Sequence, residues 1–156
     1  MKLLDNLDLV GKLTIKKIDK DNIADAEIVA HNDITLSGRR LVAQLFNPKD
    51  EAMKPVTQIK LGTGNKDFEA MDNDLAQPIE GHAIEIETAD IQELEDNRIK
   101  LTLTGTLQEN DEKVNGKELT EACLYSESEI MYNRVQFPAI SKTENFKLTL
   151  IWEITF

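Results

Sequence analysis

The chain is poor in cysteine, which limits how it can be stabilised. Cys123 is the only cysteine among 156 residues, so no intramolecular disulfide can form. A chain of this length buries about 70% of its unfolded surface, which is enough for a core that needs no cross-links. A single thiol fits synthesis in a reducing compartment. We therefore expect one domain spanning residues 1–156, made in the cytoplasm and either kept there or assembled there into something larger.

Basic residues are scarce as well. Lys and Arg total 18 against 29 Asp and Glu, a formal net charge of −11. The longest basic runs are pairs, Lys16-Lys17 and Arg39-Arg40. Binding to nucleic acid needs clustered positive charge. The composition therefore argues against nucleic acid and against an anionic membrane as direct partners, and the acidity is typical of a soluble protein.

Long hydrophobic runs are also missing. No segment approaches the ~20 apolar residues that a membrane-spanning helix requires. Asp5 and Asp8 interrupt the leucines of the N-terminus, which excludes the apolar core of a signal peptide. We treat residues 1–10 as a candidate flexible or interaction arm.

The C-terminus carries the strongest pattern in the chain. Its apolar residues occupy every second position, namely Phe146, Leu148, Leu150, Trp152, Ile154 and Phe156. A period of two places these side chains on one face of a β-strand. Chain ends usually fray unless they are anchored. The pattern therefore predicts a central core strand that runs to the last residue.

One segment changes to the helical period. Leu41 with Leu45, and Val42 with Phe46, are spaced four residues apart, which places them on one helix face. Thr35 or Ser37 can cap the start, and Asn47-Pro48 ends the pattern because the residue before proline avoids helical angles. The spacing predicts one amphipathic helix over about residues 36–46.

Short strands separated by turns account for most of the remaining pattern. We predict strands at 11–18, 26–30, 56–61, 83–87, 97–107, 119–125, 130–137 and 146–156, with a turn at 90–96 and Pro138 ending the seventh strand. Strands without alternating helices favour a sandwich or barrel. We therefore predict a mainly β, single-domain, antiparallel β-sandwich-like fold with one helix.

The residues that usually carry catalysis show no catalytic pattern. Cys123 lies in an apolar strand pattern, where a buried thiol is inert. No motif ties it to His31 or His82, and one cysteine with two distant histidines lacks zinc-ligand spacing. We therefore predict no catalytic, cofactor-binding or metal-binding residues, and a protein that is not an enzyme. A small cytoplasmic enzyme remains the alternative that measured turnover would favour.

Gly62-Thr63-Gly64 follows a predicted strand, as in phosphate-binding turns. The dinucleotide fingerprint needs a third glycine, but Asp67 stands at that position, and no Lys-Ser/Thr pair follows as in a P-loop. We predict a strand-exit turn.

Acidic clusters at 19–21 and 67–74 could donate oxygen ligands to Ca²⁺. Neither has the glycine of an EF-hand loop. A solvated loop is the interpretation we prefer, and whether 67–74 binds a cation stays open.

Glu121 and Arg134 are a candidate structural ion pair. If the last hairpin turns at Glu127-Ser128, these two residues face each other on neighbouring strands, and opposed residues lie about 5 Å apart. We expect the pair to stabilise a partly covered face.

An ordered series of segments resembles bacteriophage tail proteins. Thr57–Asn65 ends in a "GTG" turn like theirs, and Asn115-Gly116 with Thr120–Tyr125 is similar to their "NG…I-x-E-A-G-L-F". The other similar segments are Asn32–Leu45 ("N-x-V-x-x-x-G-R-x-x-L-A-x-L"), Met131–Lys142 ("M-L-A-R-V-x-F-P-P-I-x-K") and Leu148–Phe156 ("L-x-I-x-W-x-I-T-F"). The series spans about residues 11–156 and is similar in part to the N-terminal region of tail-collar fibre proteins. Cys123 replaces the usual glycine, and Ala76–Gly81 departs from the usual Glu-Arg.

The resemblance implies a virion protein of the tail, baseplate or fibre-attachment region. Its expected partners are other tail or baseplate proteins and further copies of itself, and its expected location is the virion. A receptor- or glycan-binding module of a tail fibre is the alternative.

Overall fold

The computed structural model describes residues 9–47, 49 and 53–156. These residues form nine strands and one helix: β1 (Val10–Asp19), β2 (Ala24–Ile34), α1 (Leu36–Leu45), β3 (Val56–Gly62), β4 (Ile84–Glu85), β5 (Thr88–Glu93), β6 (Ile99–Leu107), β7 (Glu118–Ser126), β8 (Asn133–Ser141) and β9 (Phe146–Thr155). The predicted mainly β class with one helix is confirmed. Most of the predicted N-terminal arm lies outside the described residues, and Val10 already belongs to β1.

The strands follow the order β4-β3-β7-β8-β2-β1-β9-β6-β5, with antiparallel pairing throughout. The link between β8 and β2 is short, because only Asp33↔Arg134 and Ile34↔Asn133 pair there. This narrow seam divides the sheet into a four-stranded half (β4-β3-β7-β8) and a five-stranded half (β2-β1-β9-β6-β5).

A two-residue connection joins the two edge strands of the sheet. Ile86 and Glu87 connect β4 to β5, which lie at opposite ends of the strand order. The N–H of Ile86 donates to the carbonyl of Thr57 in β3 at 2.9 Å, and the N–H of Glu87 donates to the carbonyl of Thr104 in β6 at 2.8 Å. The chain therefore switches from one half to the other here, as strands do at sandwich corners.

The apolar faces of the two halves form one core. Leu13, Leu150 and Trp152 of the five-stranded half join Ile59 and Leu124 of the other half in a single buried cluster. The halves approach closely at Gly105, where a Cβ atom would lie 2.9 Å from Ile84 Cγ2. This glycine lets β6 pack directly on the opposite half.

Strand β9 lies between β1 and β6, inside the sheet. Burial alternates along it as predicted, with Trp152 fully buried and Ile154 5% exposed. Phe156 departs from the prediction, because it follows the last strand residue and is 38% exposed. Its backbone still pairs with Ile99, so its side chain is exposed because the core face ends there, not because the chain frays.

Helix α1 begins at the predicted cap. Thr35 Oγ1 accepts the N–H of Gly38 at 3.0 Å, which satisfies one free donor of the first turn. Leu41 is buried against the core, while Leu45 and Phe46 are exposed. Pro48, the predicted stop, lies outside the described residues. No helix in the described part of the chain has the length and apolar character needed to cross a lipid bilayer.

Several boundary predictions are wrong. β6 begins at Ile99, because Asn97 lies in the preceding turn with a positive φ of 63°. β8 begins at Asn133, and the strand predicted at 83–87 covers only Ile84–Glu85.

The predicted turn at 90–96 is mostly strand β5, whose six side chains are all exposed and therefore give no burial pattern in the sequence. Pro138 lies within β8 instead of ending it. The β7–β8 register shifts between Leu119 and Glu121, opposite this proline, and such an irregularity tolerates a residue that cannot donate.

Gly38→Ala should destabilise the fold by about 1–3 kcal/mol, the usual cost of overpacking. A Cβ atom at Gly38 would overlap the carbonyl oxygen of Tyr132, the residue before β8, so α1 would have to move away from this segment. Urea unfolding would measure the change, with the exposed Arg40→Ala in the same helix as the control. Equal stability of the two variants would contradict this packing.

Candidate functional site

A buried carboxylate organises the outer face of the four-stranded half. Glu121 lies in the middle of β7 and is fully buried. Its Oε1 accepts the N–H groups of Gly64 at 3.0 Å and Gln77 at 2.8 Å. Its Oε2 accepts the N–H of Ala76 at 3.1 Å and Nε of Arg134 at 2.9 Å. Three backbone donors and one guanidinium therefore satisfy this buried anion.

Arg134 extends the contact to the long loop between β3 and β4. The side chain is 1% exposed. Its Nη1 lies 3.1 Å from Asp72 Oδ2 and 3.3 Å from the carbonyl oxygen of Asp67, and its Nη2 donates to the carbonyl of Lys66 at 2.6 Å. We call Glu121, Arg134, Asp72 and the loop backbone that they bind the Glu121 network. It fixes residues 63–78 on the sheet, although they have no strand of their own.

The structure brings Glu121 and Arg134 together by a register that differs from the prediction. Glu121 is paired with Gln136, not with Arg134. The hairpin turn is longer than predicted and holds Glu129 at a positive φ of 61°. Asn133 also interrupts the ladder, because its Oδ1 accepts the N–H of Leu124 at 2.9 Å. The two charges therefore meet diagonally across the strands.

The Gly62-Thr63-Gly64 turn is part of the same network. A Cβ atom at Gly62 or at Gly64 would lie 2.5 Å from Glu121 Oε1, so the carboxylate can approach only because both residues lack one. The N–H of Gly64, which would face a phosphate in a nucleotide-binding turn, is already bonded to Glu121. The turn therefore binds an internal anion.

A second buried ionic group anchors the loop between β6 and β7. Lys142 is fully buried, and its Nζ donates to Thr143 O at 2.7 Å, Asn115 Oδ1 at 2.9 Å and Glu109 O at 3.2 Å. Burial lowers the pKa of Lys142, although the charges of Asp111 and Glu109 oppose the shift. Sequence reasoning missed this lysine. The only signal was its place in the segment that resembles tail proteins.

The candidate nucleophile and its bases lie apart. Cys123 is fully buried with Leu75 and Met131, and burial raises the pKa of its thiol. His82 Nε2 lies 2.8 Å from Asp111 Oδ2 instead, and no bond between Cys123 and His31 or His82 is present in the described residues. Among those residues, no three His, Cys, Asp or Glu side chains are placed to hold a metal ion.

An apolar groove lies between α1 and β5. We call it the α1–β5 groove, since Leu41 and Leu45 form one wall and Ala89 of β5 lies on the other, with Leu101 and Phe156 also lining it. Its volume is about 310 Å³. Two of its lining residues are exposed, Leu45 (50%) and Phe156 (38%), and Ile91, two residues after Ala89 on the same face of β5, is 75% exposed.

Comparison with known proteins found no matching family model, no matching curated protein and no matching solved structure.

Glu121→Gln should destabilise the protein by about 3–5 kcal/mol, as expected when one partner of a buried ion pair is removed. Glutamine has nearly the same shape but loses the charge opposite Arg134 and turns an NH₂ group toward backbone donors. Denaturant unfolding measures the change, with the exposed Glu118→Gln of the same strand as the control. A change below about 0.5 kcal/mol in Glu121→Gln would show that the network contributes little.

Asp72 should make the fold sensitive to acid. Burial raises the pKa of this carboxyl, but hydrogen bonds from the Glu69 N–H and Lys66 and the charges of Lys66 and Arg134 outweigh it, so the pKa is lowered. A lowered folded-state pKa gives stability that is present above the unfolded value, about 3.9, and is lost as the pH falls through the folded value.

Asp72→Asn should therefore reduce stability at pH 7 and lose less on acidification than the wild type. Unfolding curves from pH 7 to pH 2 would measure this, with Asp90→Asn on exposed β5 as the control. Parallel pH profiles for the wild type and Asp72→Asn would contradict the assignment.

Proposed function

We propose that this chain is a non-enzymatic structural protein of a phage or prophage virion, in the tail, baseplate or fibre-attachment region. It acts by assembly, as a homo-oligomer that contacts other tail or baseplate proteins. Its location is the virion, after synthesis in the bacterial cytoplasm. Identical subunits that meet through heterologous contacts form a ring when the rotation closes.

The observation that supports this proposal is the convergence of the tail-like segments in space. Gly64 belongs to the "GTG" segment, Glu121 to Thr120–Tyr125 and Arg134 to Met131–Lys142. These three residues meet in the Glu121 network. Segments far apart in the chain thus contact one another through the residues that carry the resemblance.

Two further contacts join tail-like segments in the same way. Trp152 Nε1 of the final segment donates to Asn32 Oδ1 of the helix-entry segment at 2.8 Å. Lys142 donates to Asn115, which belongs to the Asn-Gly pair before β7. A series of chance similarities has no reason to supply both partners of these particular polar contacts. This pattern favours a shared fold over scattered coincidence.

The surface also suits an assembly protein. The long loops are fixed by Glu121, Arg134 and Lys142, so the sandwich presents a rigid body to its neighbours. Two of the exposed large apolar side chains, Leu45 and Phe156, line the α1–β5 groove, and exposed apolar patches mark interaction sites.

Quantitative mass spectrometry of purified particles tests the proposal. We expect this chain at a fixed small-integer ratio to known tail proteins, in particles from an induced culture of the organism that encodes it. An abundant soluble host protein is the control for carry-over. Recovery of the chain only in the particle-free fraction would contradict a virion role.

A further inference from the structure

Strand β5 presents an unpaired edge at the side of the groove. Antiparallel strands bond their neighbours through alternate residues. Leu94 N–H bonds the Arg98 carbonyl, which continues the β5–β6 register. Alternation then directs the N–H and C=O groups of Ala89, Ile91 and Glu93 away from β6. No strand in the described part of the chain pairs with this edge.

The face of the sheet that forms the core extends onto β5, where no other part of the described chain covers it. Ile91, Leu101 and Ile154 lie side by side in one row across β5, β6 and β9. Exposure rises along this row from 5% at Ile154, through partial burial of Leu101, to 75% at Ile91. The core face of the sheet is therefore left uncovered beside β5.

The chain leaves room for an added element beside β5. The pairing of β3 with β4 would bring Pro55 beside Thr88 if it continued, but Glu87 turns to β6 instead. Strand β5 therefore diverges from the start of β3. The α1–β5 groove, about 310 Å³, fills the opening between them, with Ala89 on one side and Val56 on the other.

The acidic residues around β5 favour a positively charged partner segment. Residues 85–96 contain six carboxylates and no lysine or arginine. Asp96 pairs with Arg98, and among the described residues none of the other five has an ion-pair partner within 4.0 Å. Pairing this edge with the same edge of a second copy would place two such acidic segments side by side, and their mutual repulsion disfavours that pairing. A strand that carries positive charge has the complementary character.

We propose that β5 accepts an extended segment of a partner protein as an added antiparallel strand. The segment alternates apolar residues, which enter the α1–β5 groove beside Ala89 and Ile91, with lysine or arginine on the face of Asp90. Main-chain bonds supply affinity and the side-chain pockets supply specificity. The inference rests on the proposed function, since it assigns a contact surface to the assembly protein.

An acetylated octapeptide, (Lys-Val)₄ amide, is a suitable probe for calorimetric titration at moderate salt. In antiparallel addition, the peptide residues that bond the β5 edge are those whose side chains share the face of Ile91, hence the valines. N-methylation of the valine amides should abolish binding, whereas N-methylation of the lysine amides should leave it intact. Equal binding of the two methylated peptides, or loss only with lysine methylation, would overturn the proposal.

Ile91→Lys should weaken binding of the octapeptide at least about tenfold, or 1.4 kcal/mol. Val29→Lys is the matched control, because it adds the same charge at an exposed strand residue far from the groove (51% exposed). If both variants weakened peptide binding equally, the loss would come from the added positive charge alone, and the proposal would be overturned.

Two other occupants give distinct outcomes. A dimer in sedimentation that Ile91→Lys dissociates would make a second copy the occupant. Peptide binding that occurs only after deletion of residues 1–8 would make the chain's own N-terminus the occupant. Either result overturns the proposal. If the chain were absent from virions but still bound the peptide, the proposed function would be wrong and the β5 docking surface would stand.

Discussion

The rest of this structure depends on the contact between one buried carboxylate and the loop backbone around it. Backbone N–H groups must be satisfied when they leave water. Within residues 63–78 only Pro78 pairs with a strand residue, in an isolated bridge to Gly62, and Glu121 accepts three of the N–H groups of this segment. Arg134 offsets the charge of Glu121 and binds the carbonyls of the same loop. The Glu121 carboxylate thus accepts backbone hydrogen bonds that a neighbouring strand would otherwise accept.

This arrangement gives the two ends of the sandwich different character. The loop that Glu121 fixes covers the outer face of the four-stranded half, so that Cys123 is buried on one face of β7 and Leu124 on the other. The five-stranded half ends without such a cover, at exposed Ile91 and Phe156. The outer face of the four-stranded half is therefore covered by a loop held by buried polar residues. The end of the five-stranded half is uncovered and exposes apolar side chains. This uncovered end is where we place the partner.

Alternation and helical spacing made much of the fold predictable. The first hairpin, α1 and β9 follow from burial of one face, which leaves a period in the sequence. Strand β5 was missed because an uncovered strand leaves no such period. The Glu121–Arg134 pair was proposed from an incorrect register, since the longer turn and the insertion of Asn133 have no local signal. Lys142 and the amides that bind Glu121 depend on long-range contacts, which a single sequence does not reveal.

Hydrogen exchange, compared between the free protein and purified particles, tests the central claim most directly. The account predicts slow exchange at the N–H groups of Gly64, Ala76 and Gln77 in both states. It predicts fast exchange at Ala89, Ile91 and Glu93 in the free protein, and protection of these three in the particle. Fast exchange around Glu121, or an unchanged β5 edge in the particle, would contradict the division into a fixed polar face and an open assembly edge.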